Sequence, residues 1–184
     1  MSYAIPALGT AGQVYTAVAH NIIVEDILVS RALQLNVKST TLTSALAQVT
    51  SASYADIVGL TVSITPSTVT SKILVVCAVA LDQDAGATVT YYALAREGVV
   101  ILQGDAAGSR VRAVASAGNT AANLTTQPVI YLDSPATIST ITYSIQVRSN
   151  SGAGTAYVNR AKDDTDSTSR GRGVSTITVI EVPA

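Results

Sequence analysis

The fold is decided by a run of nine apolar residues, Ile73-Leu74-Val75-Val76-Cys77-Ala78-Val79-Ala80-Leu81. A bilayer span needs about 20 such residues, so the run is too short to cross a membrane. It predicts instead a central β-strand that is buried on both faces. Cys77 is the only cysteine, which excludes an intrachain disulfide and a zinc site built on several cysteines. Within this run we expect Cys77 to be a buried small apolar side chain rather than a nucleophile.

Alternation of apolar and polar residues predicts further strands on both sides of this run. The clearest case spans Ile141 to Arg148, where eight residues alternate strictly. Glu97-Gly98 predicts a tight hairpin turn, because glycine adopts a positive φ without strain. The predicted strands cover residues 33–38, 57–64, 73–81, 88–96, 99–103, 110–115, 128–132, 141–148, 156–160 and 175–182.

This pattern of short strands without a convincing helix predicts an all-β protein. We expect a jelly-roll-like β-sandwich, in which two packed sheets bury one face of each alternating strand, with a small up-and-down barrel as the alternative. Residues 1–47 differ, because helix formers are mixed there with Pro6, Gly9 and Gly12. We expect an extended N-terminal arm or anchor at residues 1–47, which orders against a partner, and a β-sandwich domain at residues 48–184.

The composition favours a chain that buries part of its surface against copies or neighbours. Charged residues make up 12% of the chain, against about 25% in typical soluble domains, and 48% of the residues are hydrophobic. Most of the polarity comes from 23 Thr and 19 Ser. Because the net charge is -1 and the basic residues are not clustered, we expect no nucleic-acid binding. Because the longest apolar run is too short to span a bilayer, we expect no membrane insertion.

Residues for catalysis are scarce. His20 is the only histidine, so a Ser-His-Asp hydrolase would have to take its base from the N-terminal segment. A glycan-cleaving enzyme would need two carboxylates paired across a groove, and the chain has three Glu and nine Asp, mostly in turns. We therefore expect a non-enzyme with no catalytic, cofactor or metal site. Asp163, Asp164 and Asp166 could hold Ca²⁺, but a solvated turn is favoured because further ligands are missing.

Four charged residues are candidates for interface or surface contacts. Asp105 and Arg110 lie in a loop of small residues and can form an ion pair within or across subunits. Arg170 and Arg172 could contact an acidic partner or a host surface glycan, but a flexible turn is favoured.

Two tyrosines complete the set of candidate contact residues. Tyr91 and Tyr92 are adjacent, so in a strand their side chains point to opposite faces of the sheet. We expect one of them in the core and the other on the surface. The surface ring could stack on a sugar or on a neighbouring subunit.

The β region resembles a family of bacteriophage virion proteins that occur as fibre-like or decoration-like modules. The likeness rests on Tyr54-Ala55-Asp56-Ile57-Val58-Gly59-Leu60-Thr61-Val62-Ser63-Ile64-Thr65-Pro66, Gly104-Asp105-Ala106-Ala107-Gly108-Ser109-Arg110, Tyr131-Leu132-Asp133-Ser134-Pro135-Ala136-Thr137, Tyr157-Val158-Asn159-Arg160 with Asp164-Thr165-Asp166, and Ser175-Thr176-Ile177-Thr178-Val179-Ile180-Glu181-Val182. In the arm, Gly9-Thr10-Ala11-Gly12-Gln13-Val14 is similar to a short segment of phage tail-fibre proteins.

The resemblance implies a homotrimeric, non-enzymatic building block of a virion, with copies of itself and other tail or capsid proteins as partners. Two placements stay open. As a tail-fibre or tail-tip module, the protein would be anchored by its arm and would turn its β-domain to the host surface; the segment Gly9–Val14 favours this placement. As a capsid decoration (cement) protein, it would stabilise the head at three-fold positions. The short chain favours that second placement.

Overall fold

The computed structural model describes residues 35–83, 88–117, 124–151 and 154–183. Within these ranges the chain forms eleven strands, and no helix long and apolar enough to cross a membrane is found. The strands are β1 (Val37–Leu42), β2 (Leu46–Thr50), β3 (Ala55–Ile64), β4 (Lys72–Gln83), β5 (Thr90–Arg96), β6 (Val99–Leu102), β7 (Ala115–Ser116), β8 (Thr125–Asp133), β9 (Ile141–Ser149), β10 (Gly154–Val158) and β11 (Ser175–Val182).

The strands form two antiparallel sheets that enclose one core. Sheet A has the order β1-β11-β4-β10-β2, with β8 also paired to β4. Sheet B has the order β3-β9-β5-β6, with β7 also paired to β5. Residues 73–78 of β4 pair with β11 and β8 at once, so these two strands lie on opposite edges of β4. The chain crosses repeatedly between the sheets, and the predicted all-β, jelly-roll-like β-sandwich is confirmed.

The core draws aliphatic and tyrosine side chains from both sheets, which is how a chain without Trp or Phe fills its interior. The largest fully buried side chains are Tyr92, Tyr143, Ile57, Leu60, Ile64, Ile73, Leu81, Leu94, Ile145, Ile177, Val75 and Val79. Cys77 is also buried, and burial raises the pKa of its thiol to about 12. The prediction that Cys77 is a small apolar core residue is confirmed.

Strand β4 is central as predicted, but the prediction that both of its faces are buried is wrong for the single chain. Ile73, Val75 and Val79 point into the core and are fully buried. On the other face Val76 is 38% exposed and Leu74 is half-buried. The shared core lies between the first of these faces and sheet B, and the exposure of Val76 shows that no described segment covers the middle of the other face.

Most predicted strands are confirmed, one is shifted and one is wrong. The strand predicted at residues 33–38 is shifted, because β1 begins at Val37 and ends at Leu42. The hairpin between β5 and β6 turns at Glu97 and Gly98, with φ of 51° and 74°. The predicted strand at residues 110–115 is wrong: apart from the start of β7 it is a loop, where the Tyr54 hydroxyl donates to the Arg112 carbonyl oxygen (2.5 Å). Strand β2 was not predicted, and it forms by pairing with β10.

The predicted arm falls largely outside the described residues. Residues 1–34 belong to that part, and the division between arm and domain stays a prediction there. From Val37 onward the chain is paired in sheet A, because β1 bonds to β11 and β2 bonds to β10. The part of the predicted arm that the structure describes therefore forms edge strands of the sandwich.

A buried asparagine joins four segments of sheet A. Asn159 has a φ of 59°, and its main-chain N–H donates to the Ala80 carbonyl oxygen (2.9 Å). Its side-chain amide donates to the carbonyl oxygens of Leu42 (2.7 Å) and Ser44 (3.0 Å) and accepts from the Ser175 hydroxyl (2.7 Å). Asparagine tolerates the left-handed conformation better than most residues, and each polar group of this side chain is used.

A carboxylate ties the two sheets together near one end. Asp133 of β8 accepts hydrogen bonds at Oδ2 from the Arg96 guanidinium (2.6 Å) and from the Tyr143 hydroxyl (2.7 Å). Asp133 belongs to sheet A, whereas Arg96 and Tyr143 belong to sheet B. Burial and the hydrogen bond to Asp133 raise the pKa of Tyr143, so its hydroxyl remains a donor.

A second buried carboxylate fastens the end of β11. Glu181 accepts hydrogen bonds from the Ser67 main-chain N–H (2.7 Å), the Ser67 hydroxyl (2.5 Å) and the Asn36 side-chain amide (3.0 Å). Burial alone would raise the pKa of this carboxyl, but hydrogen bonds from Ser67, Ser71 and Asn36 outweigh burial and lower the pKa to about 2.

We predict that Glu181→Gln lowers the free energy of unfolding by about 1–3 kcal/mol at neutral pH, because an amide group would replace one oxygen that accepts hydrogen bonds. The folded pKa lies below the ordinary value of 4.5, so the carboxylate stabilises the fold above that value and loses this contribution as pH falls toward 2. Urea unfolding at several pH values should show the difference between wild type and variant shrinking across this window. Asp166→Asn, which removes the same charge from an exposed site, is the control. If the difference in the free energy of unfolding stayed constant down to the lowest pH, it would contradict the stabilising role of the Glu181 carboxylate.

Candidate functional site

The outer face of sheet A carries apolar side chains that are aligned across four strands. The pairing places Val37 of β1, Ile180 of β11, Leu74 of β4 and Leu132 of β8 in one row. Seven residues of this face form what we call the apolar patch: Val37, Leu74, Val76, Ile130, Leu132, Ile180 and Val182. Ile130 is 70% exposed and Leu132 is 47% exposed. Contiguous exposed apolar surface of this kind is typical of sites that other molecules cover.

Few charges interrupt the apolar patch. Among the residues of β1, β11, β4 and β8 that point to the outer face of sheet A, the exposed charged side chain is Lys72, at one end of β4. Asp82, at the other end of β4, is fully buried and accepts a hydrogen bond from the Lys162 main-chain N–H (2.9 Å). The remaining outward positions of the neighbouring strands include hydroxyl residues such as Thr178. Copies of this face can therefore approach one another without charge repulsion.

Arg170 and Arg172, two of the predicted contact residues, lie in the loop between β10 and β11 and are ion-paired there. Arg170 contacts Asp163 (2.6 Å), and Arg172 contacts Asp164 (2.5 Å). Arg160 contacts the other oxygen of Asp164 (2.7 Å). The loop is therefore ordered by ion pairs, and both arginines already have acidic partners.

The acidic residues of this loop are held as carboxylates by their neighbours. Hydrogen bonds from Thr165 and Arg170 lower the pKa of Asp163 to about 2. For Asp164, burial acts to raise the pKa, but hydrogen bonds from Arg172 and Arg160 lower it overall. No group of three or more His, Cys, Asp or Glu in the described ranges is placed to hold a metal ion.

The two adjacent tyrosines point to opposite faces of β5, as predicted. Tyr92 is 2% exposed and lies in the core, whereas Tyr91 is half-buried on the outer face of sheet B. Burial raises the pKa of the Tyr54 phenol. The nearby Arg148 acts to lower this pKa, and Tyr91 acts to raise it.

The loop between β6 and β7 contains the other predicted pair, and it forms one wall of a cleft. Asp105 and Arg110 are both exposed, and no ion pair joins them within the part of the chain that the structure describes. Arg110 instead lines a cleft of about 470 Å³ together with Tyr54, Arg112 and Arg148, which we call the arginine cleft. Sequence analysis missed these three residues because they are not grouped in the chain.

Tyr54 fixes the geometry of the arginine cleft. Its hydroxyl donates to the Arg112 carbonyl oxygen (2.5 Å), and the Arg148 guanidinium lies 5.6 Å from the centre of its ring. The Arg112 Nε donates to the Gly104 carbonyl oxygen (2.8 Å), which closes the loop on itself. A guanidinium over a tyrosine ring is a favourable cation–π contact. These contacts therefore position the Arg112 and Arg148 side chains in the cleft.

Comparison with known proteins adds little to this description. No protein-family model and no curated protein matches the chain. Among solved structures, a chain of "The 2.6A structure of Infectious Bursal Virus Derived T=1 Particles" matches with 12% sequence identity and a TM-score of 0.43. The match covers 81% of this chain but only 40% of that one. A likeness at this level carries no argument about function.

Proposed function

We propose that the chain is a non-enzymatic structural protein of a bacteriophage virion, and that its β-sandwich assembles with copies of itself through the apolar patch. The exposed, aligned apolar residues of this patch are the observation that carries the proposal. Burying apolar surface is worth about 25 cal/mol per Å², so leaving such a face in water is costly. The sequence resemblance to phage virion modules supports the proposal that the protein is part of a virion.

A second copy of the chain is the occupant that fits the patch. The patch runs from Val37 at the β1 edge to Ile130 and Leu132 at the β8 edge, and both ends are uncharged. When copies are arranged around a three-fold axis, the β8 end of one copy meets the β1 end of the next, which is a heterologous contact that closes as a ring. The resemblance implies a homotrimer, and this geometry is compatible with it.

The roles of the ionisable groups support a non-enzymatic protein. Cys77 is a buried thiol with a raised pKa, so it is a poor nucleophile. Asp133 and Glu181 hold strands in place, and Asp163 and Asp164 are ion-paired to arginines. No carboxylate lines the arginine cleft, so the cleft does not supply the acid and base that glycan cleavage needs.

Within the virion, we propose a tail-fibre or tail-tip module whose arm anchors it and whose β-domain faces the host surface. A capsid decoration protein at three-fold positions is the second candidate. Copy number in purified particles separates them: a few dozen copies or fewer would support the tail, and hundreds would support the head and overturn the first placement.

We predict that Ile130→Glu dissociates the assembly, because each copy would bury a carboxylate in an apolar contact. The dissociation constant should rise at least about ten-fold, as measured by analytical ultracentrifugation. The fold should survive, since Ile130 is 70% exposed within one chain. Val58→Glu is the matched control, because Val58 is 69% exposed on sheet B. A wild-type protein that is monomeric at micromolar concentration, or equal effects of both variants, would contradict the proposal.

We predict that removing residues 1–30 leaves the β-sandwich folded but abolishes attachment to the particle. No described strand is lost, because β1 begins at Val37. Far-ultraviolet circular dichroism and thermal unfolding should match the full chain, whereas co-sedimentation with particles lacking the protein should fall to background. Normal co-sedimentation of the truncated protein would show that the arm is not the anchor.

A further inference from the structure

The arginines of the chain divide into two groups. Seven lie in the described ranges, and four of them form ion pairs with aspartates: Arg96, Arg160, Arg170 and Arg172. The remaining three, Arg110, Arg112 and Arg148, have no carboxylate within ion-pairing distance among the described residues, and all three line the arginine cleft. In a chain with so few charges, three guanidinium groups without counter-charges in one concave site indicate a place for an anion.

These three guanidinium groups keep most of their hydrogen-bond donors free. The Arg112 Nε donates to the Gly104 carbonyl oxygen (2.8 Å), and the Arg148 Nε donates to the Ser149 carbonyl oxygen (3.3 Å). Arg110 makes one long contact from Nη1 to the Ala107 carbonyl oxygen (3.5 Å). A guanidinium has five N–H donors, so the terminal N–H groups of Arg112 and Arg148 remain available to a ligand. Two such parallel donors match the two oxygens of a carboxylate.

The shape and lining of the cleft describe the rest of the ligand. Its volume of about 470 Å³ lies in the range of small-molecule sites. Besides the arginines, it is lined by the Tyr54 ring, by Val111 and by the polar Gln103. A sugar ring has apolar faces and a rim of hydroxyl groups, so it suits a lining that combines a tyrosine, two valines, one amide and one hydroxyl side chain with the arginines.

We propose that the arginine cleft binds a saccharide that carries carboxylate groups, such as an oligosaccharide of uronic or sialic acid. One carboxylate pairs with the guanidinium groups, and the ring rests against Tyr54 and Val111. A nucleic acid would need a longer basic surface than three arginines in a chain of net charge -1. A flat anionic membrane would need cations on a projecting surface rather than in a cleft.

This inference rests on the cleft alone and does not depend on the assembly proposed above. The cleft is formed by residues next to β3, β6 and β9 of sheet B, whereas the apolar patch belongs to sheet A. Variants of one site can therefore be tested with the other site intact.

The test is isothermal titration of the full chain with two carboxylated tetrasaccharides, one of galacturonic acid and one of sialic acid. A neutral galactose tetrasaccharide and tetraglutamate are the control ligands. We expect at least one carboxylated saccharide to bind at least about ten-fold more tightly than either control. Arg110→Gln and Arg112→Gln should each weaken this binding about five-fold or more, since each removes a charge-assisted contact from an exposed site.

Arg172→Gln is the matched variant, because it removes the same charge from an exposed arginine outside the cleft, and it should leave the affinity unchanged. Equal weakening by all three variants would overturn the proposal, because binding would then follow net charge alone. Equally tight binding of tetraglutamate would overturn it in favour of an acidic peptide. No saturable binding of either carboxylated saccharide would also overturn it.

Discussion

Strand β4 is apolar on both faces, and the rest of the structure depends on how these two faces are covered. Its pairing with β11, β10 and β8 makes it the centre of sheet A. The face with Ile73, Val75 and Val79 is covered by sheet B, which creates the core. The opposite face, with Leu74 and Val76, remains open within one chain. Among the described residues, this apolar run therefore has an apolar neighbour on one face, and we propose that a second copy covers the other.

Because the chain has few charged residues, each buried polar contact indicates a specific role in the fold. Asp133 and Glu181 are each buried and hydrogen-bonded, and Asn159 joins four segments of sheet A through its side chain and main chain. Buried polar groups of this kind help to specify one strand register, because a shifted register would leave them without partners. The arginines of the arginine cleft differ from these groups, because they have no carboxylate partner among the described residues.

Much of the fold follows from local pattern, and most of the site does not. The strict alternation of residues 141–148 predicts β9, because period two places apolar and polar side chains on opposite faces of a strand. The polar face is buried as well, since Ser144 and Gln146 donate hydrogen bonds to Asp56. The local pattern does not predict strand β2, because β2 forms by pairing with β10, which is far away in the sequence. Residues 110–115 have the sequence pattern of a strand, but their carbonyl oxygens accept hydrogen bonds from Tyr54 and Gly104 instead of from a neighbouring strand. The cleft unites Tyr54, Arg112 and Arg148, which are far apart in the sequence; Tyr54 and Arg148 meet because β3 pairs with β9 in sheet B.

Hydroxyl-radical footprinting of the intact protein tests directly whether a second copy covers the outer face of sheet A. Within one chain Ile130 and Val58 are almost equally exposed, at 70% and 69%, and Val99 is 66% exposed. Labelling of each residue is normalised to the urea-unfolded chain, which removes differences in intrinsic reactivity. If a second copy covers the apolar patch, Ile130 and Leu132 are labelled several-fold less than Val58 and Val99. Equal normalised labelling of all four residues would contradict it.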